Sequence, residues 1–146
     1  MDAAGNVVFD FEGSLDLARS LWRLADDLEQ LLSSRSASAS NALTNWAGRY
    51  ADEFVDRAND EQSTGSMLAQ MLRSDAYGWA FAWTQAMDEQ NRVLYAREVK
   101  RVEDDRSTLD RIGGFFTGHD DLPSTPRPAS VPQPPYFFST RTFARY

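Results

Sequence analysis

Apolar and small residues recur along this chain at steps of three and four, in two long runs that meet at Trp46-Ala47-Gly48. The first run is Leu15, Ala18, Trp22, Ala25, Leu28, Leu32, Ala39, Leu43 and Trp46. The second is Phe54, Ala58, Leu68, Leu72, Ala76, Trp79, Trp83 and Leu94. Such spacing marks one face of an α-helix and excludes the alternation of a strand. A large aromatic followed closely by glycine between two such runs reads as a turn. Gly48 would take a left-handed conformation that ends the first helix, and the Trp46 indole would cap the apolar seam. The prediction is an all-α fold built on an antiparallel helical hairpin.

Ser14 is the expected N-cap of the first helix, with Asp16 in the first turn favouring its dipole. Just before it, Val7, Val8, Phe9 and Phe11 form a short apolar patch, either a brief extended segment or a staple on the helix start. Two weak zones interrupt otherwise good helix sequence, the Ser33–Ser40 tract of Ser and Ala and the stretch from Asn59 to Gly65. Serine competes for backbone hydrogen bonds, yet the three/four phase survives both zones, which favours unbroken helices. Counted outward from the turn, the zones lie opposite one another, so small residues facing small ones would allow close approach. The alternative is a break at Ser63-Thr64-Gly65, giving three helices. Helix-forming sequence then continues from Met67 to about Arg111 and stops at Gly113-Gly114. The second helix overshoots the first, leaving Trp83, Met87, Leu94, Val99 and Val102 in want of another surface.

The chain's 146 residues suffice for one domain. Residues 1–112 carry 12 basic and 20 acidic groups, so they hold a net −8 and the remainder +1. That acidity repels phosphate backbones and argues against nucleic acid and anionic membranes as partners. With no cysteine, neither a disulfide framework nor a thiolate site is possible. The start, Met1-Asp2-Ala3-Ala4-Gly5, lacks the pattern of a cleavable signal peptide, and the run Ala76–Trp83 is too short to span a bilayer. The expected location is therefore cytoplasmic, or secreted by a route independent of a signal peptide. His119 is the single histidine and stands in a loop-like segment without companions for metal or acid–base work. No glycine-rich phosphate loop follows a strand. The expectation is a protein that is not an enzyme and needs no cofactor or metal.

Two groups of aromatics exceed what a single seam needs. Tyr77, Trp79, Phe81 and Trp83 crowd one stretch of the second helix. Trp79 and Trp83 share a face at i, i+4 and would line the seam, while Tyr77 and Phe81 point elsewhere, toward a partner or a wide core stripe. The second group follows Leu122–Pro135, which holds all six prolines and reads as an extended linker without a core of its own. Beyond it, Tyr136, Phe137, Phe138, Phe143 and Tyr146 stand among the last eleven residues, with Arg141 and Arg145 and no acidic group. Disordered linkers are poor in aromatics, so this peptide is a docking segment. It adds to a sheet edge of a partner, or folds back with its arginines on the acidic helices. The division is thus a helical hairpin domain, 1–112, and a Pro-rich linker with an aromatic-basic peptide, 113–146. The candidate partner-binding residues are Tyr77, Trp79, Phe81, Trp83, Tyr136, Phe137, Phe138 and Phe143.

Trp46-Ala47-Gly48, with Leu43 before it and Phe54 after, resembles the Trp-x-Gly turn of the ESAT-six-like helical hairpins of type VII secretion. The resemblance covers roughly residues 14–94. It implies that Trp46 and Gly48 are turn residues, and that the hairpin pairs as a homo- or heterodimer into a coiled-coil-like four-helix bundle. The family's export signal, Tyr-x-x-x-Asp/Glu, is not met: Val99 stands four residues after Tyr95, and Glu98 is out of register. The resemblance therefore implies the signal-less member of a pair, or a hairpin that is not exported. The function expected is protein–protein interaction, as a type VII secretion-associated hairpin or partner of a secreted effector. The alternatives are an intracellular structural or adaptor protein of a phage-like or filamentous assembly, and a toxin-neutralising partner.

Overall fold

A computed structural model describes residues 1, 5–112, 122–139 and 141–145, the side chains of 108–112 excepted. The expected stop at Gly113-Gly114, His119 and Tyr146 lie outside the described residues. The fold is all-α, with two helices packed against each other: α1 (Phe11–Leu43) and α2 (Arg49–Ile112). Among the described residues there is no strand.

The first helix begins three residues before the expected cap. Asp10 holds the N-cap position, and its carboxylate accepts the Gly13 N–H at 2.8 Å. Ser14 is instead buried inside the first turns, where its hydroxyl donates to the Phe11 carbonyl. Asp is as good a cap as Ser, and the earlier start brings Phe11 onto the helix, edge-to-face with Phe9 at 5.1 Å.

Both weak zones are helical, so there are two helices and not three. In the serine tract the Ser38 hydroxyl donates to the Ser34 carbonyl one turn back, which satisfies the side chain without breaking the helix. In α2, Gly65 admits Leu32: a Cβ built on Gly65 would lie 2.6 Å from both Leu32 methyl carbons. Toward the turn the short Ser and Ala side chains fail to fill the space, leaving an open cleft of about 740 Å³ lined by Arg35, Ala39, Phe54, Arg57, Ala58 and Gln62.

At the hairpin turn, α1 ends with the Thr44 and Trp46 N–H groups bonded back to Asn41 and Leu43. Gly48 has φ +101°, the left-handed side that the sequence required of it. Its place differs, however. It opens α2, its carbonyl accepting from Ala51 and Asp52, and does not close α1. Trp46 packs obliquely on Phe54, ring centroids 5.5 Å apart, and remains 43% exposed. Gly48→Val should therefore cost about 1–3 kcal/mol through backbone strain alone, since nothing lies within 4 Å of the added carbon. Trp46→Ala should cost about 1–2 kcal/mol, less than a buried indole would. Urea melts of the two variants check both figures.

The core runs along the seam and thickens at the open end of the hairpin. Leu15 and Ala18 of α1 meet Ala76, Ala80, Trp83 and Met87 of α2, and one residue from the C-terminal segment, Phe137, joins them. Past Met87, α2 has no α1 beside it for about 36 Å, at 1.5 Å per residue. The chain's own ends supply surface along the first part of that stretch. The Val7 N–H donates to the Gln90 side chain at 2.7 Å, the Ala129 N–H to Asp88 at 2.7 Å and the Ala144 N–H to Asn91 at 2.9 Å. Residues 122–139 and 141–145 thus do not extend away as a free linker; they run back along α2, reverse at Pro134–Phe137 and return.

Candidate functional site

The seam divides the hairpin into two lateral faces, and their chemistry differs. On the first, Arg73 reaches from α2 to α1, donating to Asp26 and to both Glu29 oxygens at 2.6–2.7 Å, with its guanidinium 5.2 Å above the Trp22 ring. This pairing holds the Glu29 carboxyl below the usual carboxylate range, the hydrogen bond from Arg73 being the main cause. Next along that face lies the tip of the C-terminal segment. Phe137 is fully buried, its ring edge-on to Trp22 and Tyr77. Arg19 secures the tip by donating to the Tyr136 and Phe137 carbonyls, each at 3.2 Å, and also pairs with Asp16. Phe143 then stacks edge-to-face on Phe11 at 5.1 Å. The first face is closed by the chain itself.

The second face is open. Leu17, Leu21, Leu24, Leu28 and Leu31 follow steps of four, three, four and three, a complete heptad row beside the core row of α1. Leu24 and Leu31 are 53% and 54% exposed, and Leu17 is exposed as well. Leu28 and Leu31 line a shallow cleft with Asp60, Thr64 and Gly65 of α2, which fixes the side of α2 that they face. From Thr64 that side continues at helical steps through Leu68, Met71, Asp75 and Trp79, three of them exposed apolar residues. The result is a groove with an apolar row on either bank.

The eight predicted partner-binding residues are scattered by this geometry. Trp83 and Phe137 are buried in the chain's own core and are not available to a partner, a correction with a simple cause. The seam of α2 runs through Ala76, Ala80, Trp83 and Met87, and the alanines leave room for a ring from the returning segment. Trp79, expected beside Trp83 in the seam, lies one row over and is exposed. Tyr77 covers Trp22 and Phe137 at the edge of the closed face. Phe81 is exposed on α2, and Tyr136 and Phe138 stack on one another at 5.5 Å with both rings largely in solvent. Phe143 is partly covered by Phe11. The turn residues Trp46 and Gly48 stand far along the hairpin from all of these. The open leucine row was missed because a single apolar row satisfied the helix pattern; its signal was the second, equally regular row two positions away.

Among the described residues no group of three acidic or histidine side chains gathers as metal ligands, and no helix is long and apolar enough to cross a membrane. Comparison with known proteins finds no matching family model, no similar curated protein and no similar solved structure.

Proposed function

We propose that this chain is a protein–protein interaction module, a helical hairpin associated with type VII secretion or the partner of a secreted effector. One observation carries the interaction part: the second face presents two exposed apolar rows along a groove, while the first is already closed by the C-terminal segment. Patches of that kind on a soluble surface mark interaction sites. The Trp46-Ala47-Gly48 turn, between two helices packed as a hairpin, supports the secretion part by resemblance. Each part has its own test. An apolar dye should bind the isolated chain and lose most of that binding when Leu17, Leu24 and Leu31 are all changed to Ser; a chain that binds no dye overturns the interaction reading. In a host with a type VII system, loss of its ATPase should stop release of the protein or its bound partner into the medium. Unchanged release overturns the secretion reading alone.

A further inference from the structure

The open groove has a length, a period and a charge, and together they describe what fits it. The leucine row from Leu17 to Leu31 spans about 21 Å at helical rise. It stops where the next positions in phase, Arg35 and Ser38, turn polar. A four-three row on one bank and a helical row on the other make a groove that one further helix fills, seating its own i, i+3, i+4, i+7 residues between the banks. The occupant is thus a single helix with about two heptads in the groove, and its addition turns the hairpin into a three-helix bundle.

Charge selects which helix. Of the arginines on this part of the hairpin, Arg19, Arg35 and Arg73 are held by carboxylates of the same chain, whereas Arg23, beside Leu24, and Arg57, nearer the turn, make no ion pair among the described residues. Asp27 follows Leu24 by three on α1, and Asp60 and Asp75 stand on the α2 bank, none of them in an ion pair among the described residues. Along the leucine row these three carboxylates stand against one unpaired arginine, Arg23, among the described residues, so the banks are apolar with a net acidic rim. A second copy of this chain would bring the same acidic rim against it, and like charges across an interface disfavour pairing. The geometry points to a different partner: we propose that the groove takes an amphipathic helix from another protein, apolar along one stripe and flanked by Lys or Arg. This rests on the interaction reading above and narrows it to one face, one helix and one sign of charge.

The test uses the full chain and two synthetic peptides of about 21 residues, each with a Leu stripe at helical spacing, one flanked by Lys and Arg and the other by Glu. The basic peptide should bind with one-to-one stoichiometry in calorimetry and weaken as salt is raised, and the acidic peptide should bind about tenfold more weakly or less. Leu24→Ser with Leu31→Ser, both at exposed positions, should remove binding of the basic peptide while leaving the thermal melt of the chain in place. A basic peptide with the same composition in scrambled order should not bind. Equal binding of the two peptides, or binding that survives the double leucine change, overturns the proposal. If the chain alone sediments as a dimer that the leucine changes dissociate, the occupant is a second copy: this proposal fails and the interaction reading stands. If neither peptide binds, the chain is monomeric and no dye binds the groove, both fail together.

Discussion

Phe137→Ala is expected to destabilise the chain by about 3–5 kcal/mol, the range for removing a buried aromatic from a core. Phe137 has no exposed surface, and its ring fills the space left between Ala18, Ala76 and Ala80 beside Leu15, Trp83 and Met87. The neighbours are helix-borne and fixed by the seam, so the vacated volume cannot close by collapse. Backbone conformation sharpens the test. Phe137 has φ +43°, a left-handed value that costs a non-glycine residue about 1–2 kcal/mol. Burial of the ring offsets that strain in the native chain, whereas alanine keeps the strain and loses the ring. Phe137→Gly should accordingly be no less stable than Phe137→Ala, although glycine is ordinarily the worse residue. Urea melts of both variants, with truncation after Pro135 as the limiting case, provide the measurement. Melts unchanged by all three would mean that the terminal segment is not seated in the core.

The hairpin was legible because its information is periodic. Two apolar rows at steps of three and four, and a glycine between them, fix the helices and the turn whatever the details at their ends. The details followed local competition that periodicity does not report. Asp10 and Ser14 both offer a capping oxygen, and the additional turn that brings Phe11 to Phe9 and Phe143 decided for Asp10. Gly48 is left-handed, as its place between the two rows requires, but it opens α2 instead of closing α1, since a positive φ suits either side of a short connection. The serine tract stayed helical because the flanking turns are strong and the hydroxyls found carbonyls one turn back.

The surfaces were harder to read, for a different reason. Aromatic density marks the Tyr77–Trp83 stretch and the terminal peptide as unusual, and mutual contact accounts for part of each: Phe137 meets Tyr77 and shares a core cluster with Trp83 within one molecule. A sequence shows two sticky segments and cannot say whether they stick to each other. Charge did not help. The tail's Arg141 and Arg145 make no ion pair among the described residues, and the tip is held from the other side, by Arg19 donating to two tail carbonyls. The leucine row at Leu17, Leu24 and Leu31 carried its signal in plain periodic form, but a helix with one satisfied row asks no further question until the partner helix is placed.

Trp79 and Trp83 stand four residues apart on α2, and the structure assigns them opposite consequences. Trp83 is 1% exposed and sits where α1, α2 and the terminal segment meet, so Trp83→Ala should cost about 3–5 kcal/mol. Trp79 is exposed on the bank of the open groove, and Trp79→Ala should change stability by about 1 kcal/mol or less while weakening whatever helix the groove accepts. The contrast separates a core residue from a surface one with the same side chain, the same helix and nearly the same local sequence. A double-mutant cycle adds the decisive step. Trp83 and Phe137 share one cluster, so deleting both should cost less or more than the sum of the single changes by about 0.5–3 kcal/mol. Trp79 shares no cluster with Phe137, and that pair should add to within about 0.5 kcal/mol. Additivity for Trp83 with Phe137 would mean that the terminal segment and the helical core are energetically separate, which is incompatible with a ring from one filling the interior of the other.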